Sequence, residues 1–232
     1  MPESINPALR KYAGIDLAGR LALWEKGGIQ EFAGFPESLK NRLNVALCFT
    51  TDSEDQIKTR VIEPVKEIAN ELSIGFIIAG QDYPIHTTLM EGLYEGGNPQ
   101  EREHEFSQVI TTPSIQDLDK LVGNKVVYKF LLIDKGNLLL TAKIPDWVLA
   151  AREQLAESYK AQGLKPLLID NVLHISLARM ISLPPKDEQA QAFRTYEEKM
   201  TQLRSEVAAN PLTLSVACIS KMPAFDLLHR KP

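Results

Sequence analysis

The chain has 232 residues, 44% of them hydrophobic, with 26 Lys and Arg against 30 Asp and Glu and a formal net charge of -4. That supplies apolar material for a sizeable core and excludes the global positive field that holds proteins on long duplex nucleic acid, so any nucleic-acid ligand is short or met by a local patch. No apolar run approaches the ~20 residues of a membrane helix and the N-terminal MPESINPALRKY lacks an apolar signal core, which points to a cytoplasmic protein with no membrane partner.

Residues 1–42 read as an extension packed on the main body, helical or irregular over INPALRKYAGIDLAGR and a hairpin over LALWEKGGIQEF turning near Gly27 and Gly28. The remainder, 43–232, reads as one domain with lobes at about 43–134 and 135–221 and a tail at 222–232. NVALCFTT (44–51) is a predicted strand. Asp52 or Ser53 can cap the helix that follows, where Val61, Val65, Ile68 and Leu72 recur at helical spacing. The next strand carries His86, NPQEREHEFSQVI reads as helix, and KVVYKFLLI (125–133) is a strand rich in β-branched and aromatic residues. DKGN then makes a turn.

From there the order starts again: strand NLLLTAKI (137–144), a helix from Pro145 to near Gly163, and strand VLHISLARMISL (172–183). PPKDEQAQAFRTYEEKMTQLRSEV supplies the second helix and LTLSVACIS (212–220) the final strand. The points 45 and 138, 86 and 174, and 126 and 212 are each separated by about ninety residues, which predicts two related halves, each a small sheet flanked by helices; a plain run of α/β units is the alternative.

Two of the four histidines share one context. In PIHTTLMEG and LHISLARM a histidine precedes a hydroxyl residue by two positions, and strand alternation puts His86 with Thr88, and His174 with Ser176, on one face. Ile85, Leu89, Leu173, Ile175 and Leu177 point the other way. Should a pseudo-twofold axis relate the halves, both couples meet in one cleft. There one neutral imidazole can accept a proton, one protonated imidazole can give one, and two hydroxyls can donate to phosphate oxygens.

The pair HTT (86–88) and HIS (174–176), each on a predicted strand, resembles the two His-x-Thr/Ser signatures of the 2H phosphoesterase superfamily, which includes the RNA ligase-like cyclic phosphodiesterases. The resemblance spans residues 44–221. It implies a bilobal, pseudo-twofold α/β (α+β) fold, no metal, no cofactor, and hydrolysis of a 2′,3′-cyclic phosphate on a nucleotide or short RNA end, or of a related small cyclic phosphate. Carried to this chain, His86 and His174 would be the acid and base, and Thr88 and Ser176 the phosphate donors. HISLAR also resembles the extended second motif, in which an arginine follows the core; strict alternation places Arg179 on the face opposite His174 unless the strand bulges. LMEG after the first motif, where family members often have Leu and an aromatic, leaves the substrate open.

Other residues have competing readings. Tyr83 and Tyr94 flank the first motif and can stack on a base or close the core. His104 and His229 lie in polar surroundings, Trp147 reads as a packing anchor, and Gly96-Gly97 lacks any phosphate-loop context. Cys48 and Cys218, far apart in sequence, are too few for a disulfide framework or a cysteine zinc site and read as buried thiols; His86 and His174 lack the i, i+4 histidine pair of a zinc enzyme. The expectation is a monomeric hydrolase. A module that binds a nucleotide or phosphometabolite in the same cleft without turnover is the alternative.

Overall fold

The computed structural model describes residues 42–93, 117–134, 136–167 and 172–223. The extension up to residue 41, Tyr94, the helix predicted over 98–110 with His104, and the tail from 224 with His229 lie outside the described residues.

β1 (Arg42–Phe49) runs into a continuous helical stretch made of α1 (Thr51–Ile57), a π-helical turn (Lys58–Ile62) and α2 (Glu63–Glu71). Thr50, not Asp52 or Ser53, is the N-cap: it is the residue still in extended conformation, and its Oγ1 accepts from the Ser53 amide at 3.4 Å. Ser53 instead turns inward, and its Oγ accepts from the Ser215 amide at 2.9 Å. Pro64 has no amide hydrogen for the helical ladder, and the wider π turn immediately before it accommodates the interruption.

The chain continues through β2 (Gly75–Ile78), β3 (His86–Leu93), a 3₁₀ turn (Asp117–Leu121), β4 (Lys125–Asp134) and β5 (Asn137–Ala142). Then come α3 (Asp146–Ala161), β6 (Lys165–Leu167), β7 (Leu173–Ser182), α4 (Gln189–Ala209) and β8 (Leu212–Pro223). The expected α/β alternation is present. β2 and β6, both very short, are additional to it.

A separate small sheet in each half was the expectation; the strands instead form one antiparallel eight-stranded sheet, ordered β2-β7-β5-β4-β8-β1-β3-β6. The reason lies in the last strand of each half, since β4 pairs with β5 and β8, and β8 pairs with β1 and β4. A further bridge between Thr87 and Ile175 joins β3 to β7, so six strands pair in a closed circuit with β2 and β6 outside it.

Five bulges interrupt the ladders, where the register skips Leu89 in β3, Leu177 and Ile181 in β7, Lys129 in β4 and Ala217 in β8. Each resets the alternation of faces beyond it. One face of the sheet packs on helices through Leu155 and Tyr159 of α3 and Phe193, Tyr196, Met200 and Leu203 of α4, with Val65 and Ile68 of α2 in the same core. The other face bears the histidines.

The contact between α3 and β3 is close enough to require a glycine. A Cβ on Gly92 would stand 2.7 Å from Cδ2 of the fully buried Tyr159 ring. We expect Gly92→Ala to cost roughly 1–3 kcal/mol, the usual range for overpacking a core. Urea unfolding checks this, and an unchanged midpoint would contradict it.

Candidate functional site

The bridge between Thr87 and Ile175 sets the geometry of both motifs. Thr87 and Ile175 are fully buried on the helix-packed face, where Thr87 Oγ1 and the Tyr128 hydroxyl hydrogen-bond at 2.6 Å. Their neighbours, His86, Thr88, His174 and Ser176, are half-buried on the opposite face. Continuing the antiparallel register one residue each way sets His86 across from Ser176 and Thr88 across from His174. In a regular antiparallel pair facing residues stand about 5 Å apart at Cβ and diagonal ones about 7–8 Å. The structure thus brings the two motifs together on one face.

Local chemistry prepares each group. His86 Nδ1 lies 2.9 Å from the Pro84 carbonyl oxygen, which can only accept, so Nδ1 carries a hydrogen and Nε2 is the atom that titrates. Burial pushes the His86 imidazole below its ordinary value; the Pro84 hydrogen bond opposes this and the positive charge of Arg179 adds to it. Near neutrality His86 is therefore mainly neutral. Asn44 Nδ2 donates to Thr88 Oγ1 at 3.4 Å, which leaves the Thr88 hydroxyl hydrogen for another acceptor.

Arg179 lies on the same face as His174. The Leu177 bulge makes Ser176 pair with Leu139 and Ala178 with Leu138, so Ala178 turns into the core and Arg179 turns out, opposite Asn137. Its charge is felt at both His86 and Tyr83. The corresponding bulge at Leu89 turns out Glu91, whose carboxylate is paired with Arg42 at 2.7 Å. Replacing Arg179 by Gln should raise the His86 pKa toward its ordinary value, because a like charge is removed. Histidine NMR titration of the variant reads this directly, and an unmoved His86 resonance would refute it.

Tyr83 cannot stack on a base. Its ring is 1% exposed, and its hydroxyl donates to the Ser176 backbone carbonyl at 3.1 Å, which ties the entry to β3 onto β7. Arg152 of α3 is a second tie that the sequence did not disclose. Its Nε donates to the Leu89 carbonyl of β3 at 2.8 Å and its Nη2 to the carbonyl of Val172, the residue before β7, at 3.4 Å.

The cysteines also differ from expectation. Cys48 and Cys218 are opposite each other on β1 and β8, Cys218 is exposed, and Cys48 is in turn opposite His86. Burial, the neighbouring Cys218 and Glu54 push the Cys48 thiol up to about 12. Among the described residues, no group of three or more His, Cys, Asp or Glu side chains is placed to hold a metal ion, and no helix is long and apolar enough to cross a membrane.

No family model matches the chain, and no curated protein matches it. Among solved structures it is similar to Kluyveromyces marxianus Usb1, with 14% identity and a TM-score of 0.42 over 80% of this chain and 99% of that one. At that similarity nothing about activity transfers, and this chain's own residues carry the functional reading.

Proposed function

We propose that the protein is a two-histidine phosphodiesterase that hydrolyses a cyclic phosphodiester, such as the 2′,3′-cyclic phosphate of a nucleotide or of a short RNA end. The observation that carries this reading is the Thr87 to Ile175 bridge, because it pairs the two strands that bear the His-x-Thr and His-x-Ser motifs. The neutral imidazole takes a proton from water as its oxygen attacks phosphorus. The other, protonated, gives its proton to the ribose oxygen that leaves, and the net result is a phosphomonoester with both histidines' states exchanged. Thr88 and Ser176 donate to the non-bridging oxygens, and Arg179 supplies positive charge where negative charge grows.

Descent of the two halves from one duplicated unit supports the same reading. The strand order maps onto itself when β3 and β7, β1 and β5, β4 and β8, and β2 and β6 are exchanged. Four of the five bulges correspond under the same exchange, Leu89 with Leu177 and Lys129 with Ala217, while the one at Ile181 between β2 and β7 has no counterpart between β6 and β3. A twofold axis beside the Thr87 to Ile175 bridge would relate the couples.

The test is hydrolysis of a panel of nucleoside 2′,3′-cyclic phosphates and short cyclic-ended RNAs in the presence of chelator, followed by phosphorus NMR. Conversion of the cyclic signal to a phosphomonoester is expected. Saturable binding with no conversion would replace the hydrolase with a binding module.

A further inference from the structure

β1 brings Asn44, Ala46 and Cys48 to the histidine-bearing face, since Leu43, Val45, Leu47 and Phe49 are in the core on the other. Ala46 stands opposite Thr88 and Asn44 opposite Glu91, so Asn44 is a diagonal neighbour of the first motif's hydroxyl. It is 4% exposed, and its Nδ2 donates to Thr88 Oγ1 at 3.4 Å. Its Oδ1 is buried and meets no donor among the described residues. The carboxylate opposite, that of Glu91, is paired with Arg42 and can only accept.

A buried amide oxygen without a donor destabilises a fold, and an apolar side chain in its place would not carry that cost. What the amide supplies in return is direction. A threonine hydroxyl can turn its hydrogen to several staggered positions, and a donor already seated on the oxygen bars the one that points back at that donor. The Thr88 hydrogen is thereby turned away from Asn44.

The second motif is held differently. Under the exchange of β1 with β5 and of β3 with β7, Asn44 corresponds to Asn137, which stands opposite Arg179 as Asn44 stands opposite Glu91. Among the described residues, however, no hydrogen bond joins Asn137 to Ser176.

We propose that Asn44 is a positioning residue that aims the Thr88 hydroxyl at the phosphate and acts on the reaction only through Thr88. This rests on the phosphodiesterase reading above and deepens it: Thr88 becomes the donor oriented in advance toward a non-bridging oxygen, and Ser176 the one that orients when the substrate arrives.

The experiment uses cytidine 2′,3′-cyclic phosphate and three variants: Asn44→Leu, which keeps the branch at Cγ without polar atoms, Thr88→Val, which keeps the shape without the hydroxyl, and the two combined. Thr88→Val should lower kcat ~10²-fold, the usual loss for one oxyanion donor, and Asn44→Leu roughly 10-fold, with KM little changed in both. The double variant should be no slower than Thr88→Val alone. Asn44→Leu should also unfold at an equal or higher urea midpoint, because the orphaned oxygen is gone. Wild-type kcat in Asn44→Leu, with or without a lower midpoint, or a further loss on top of Thr88→Val, would overturn the proposal. Should the leucine variant fail to fold, Asn44→Ala carries the same kinetic comparison. If the wild-type protein turns over no cyclic phosphate, the phosphodiesterase reading fails separately, and calorimetric binding of inorganic phosphate decides the role of Asn44. Weaker binding by Asn44→Leu, with no further weakening in the double variant than in Thr88→Val, would then support it; wild-type affinity in Asn44→Leu would refute it.

Discussion

Replacing either His86 or His174 by alanine is expected to lower turnover of a cyclic phosphate by at least ~10²-fold, the usual cost of removing a general acid or base. Both side chains are half-buried on the sheet face that does not pack on helices, so the apolar core stays intact in either variant. The folded state should be retained, and circular dichroism with urea unfolding checks that. The double variant should be little worse than the single ones, because an acid and a base that act in one step fail together. Near-normal kcat/KM in both single variants would remove the proposed mechanism.

Arg152→Met should destabilise the fold by about 3 kcal/mol. Arg152 is 8% exposed and serves the carbonyls of Leu89 in β3 and of Val172, which immediately precedes β7. Methionine preserves much of the apolar stem but abandons both acceptors in a buried place, where an unsatisfied polar group costs about 1–3 kcal/mol. Leu89 is also the bulged residue of β3, so loosening it disturbs the placement of Thr88 and Glu91. Urea unfolding measures the loss, and Arg152→Lys should recover part of it. A change under ~0.5 kcal/mol, the level of an ordinary surface substitution, would show that the two strands are held by other contacts.

Much of the fold was legible because periodicity reports which face is buried. The long strands at His86–Leu93, Leu173–Ser182 and Leu212–Pro223, and the helix bounded by Pro145 and Gly163, follow from local pattern and punctuation. GFII and KPL were not legible as strands, since segments of four and three residues owe their state to the partner edge they pair with. The exchange of β4 and β8 between halves is a tertiary choice and leaves no trace in local sequence.

The same distinction governs the site. His86, Thr88, His174 and Ser176 were legible because period two fixes their shared face, and the bridge that brings them together is long-range. Arg179 was visible through the likeness of HISLAR to the extended motif, but its face was not, because alternation alone gives the wrong one and only the Leu177 bulge corrects it. The aromatic at Tyr83 was visible, but its burial depends on β7. Asn44 looks like an ordinary strand residue until the register sets it beside Thr88.

The most direct measurement follows the imidazole nitrogens of ¹⁵N-labelled protein by long-range NMR correlation while inorganic phosphate is added, with His86→Gln and His174→Gln used to assign the signals. Two couples gathered around one phosphate predict that His86 and His174 shift together along a single saturation curve. Movement of one alone, of neither, or of each along its own curve would contradict a shared site.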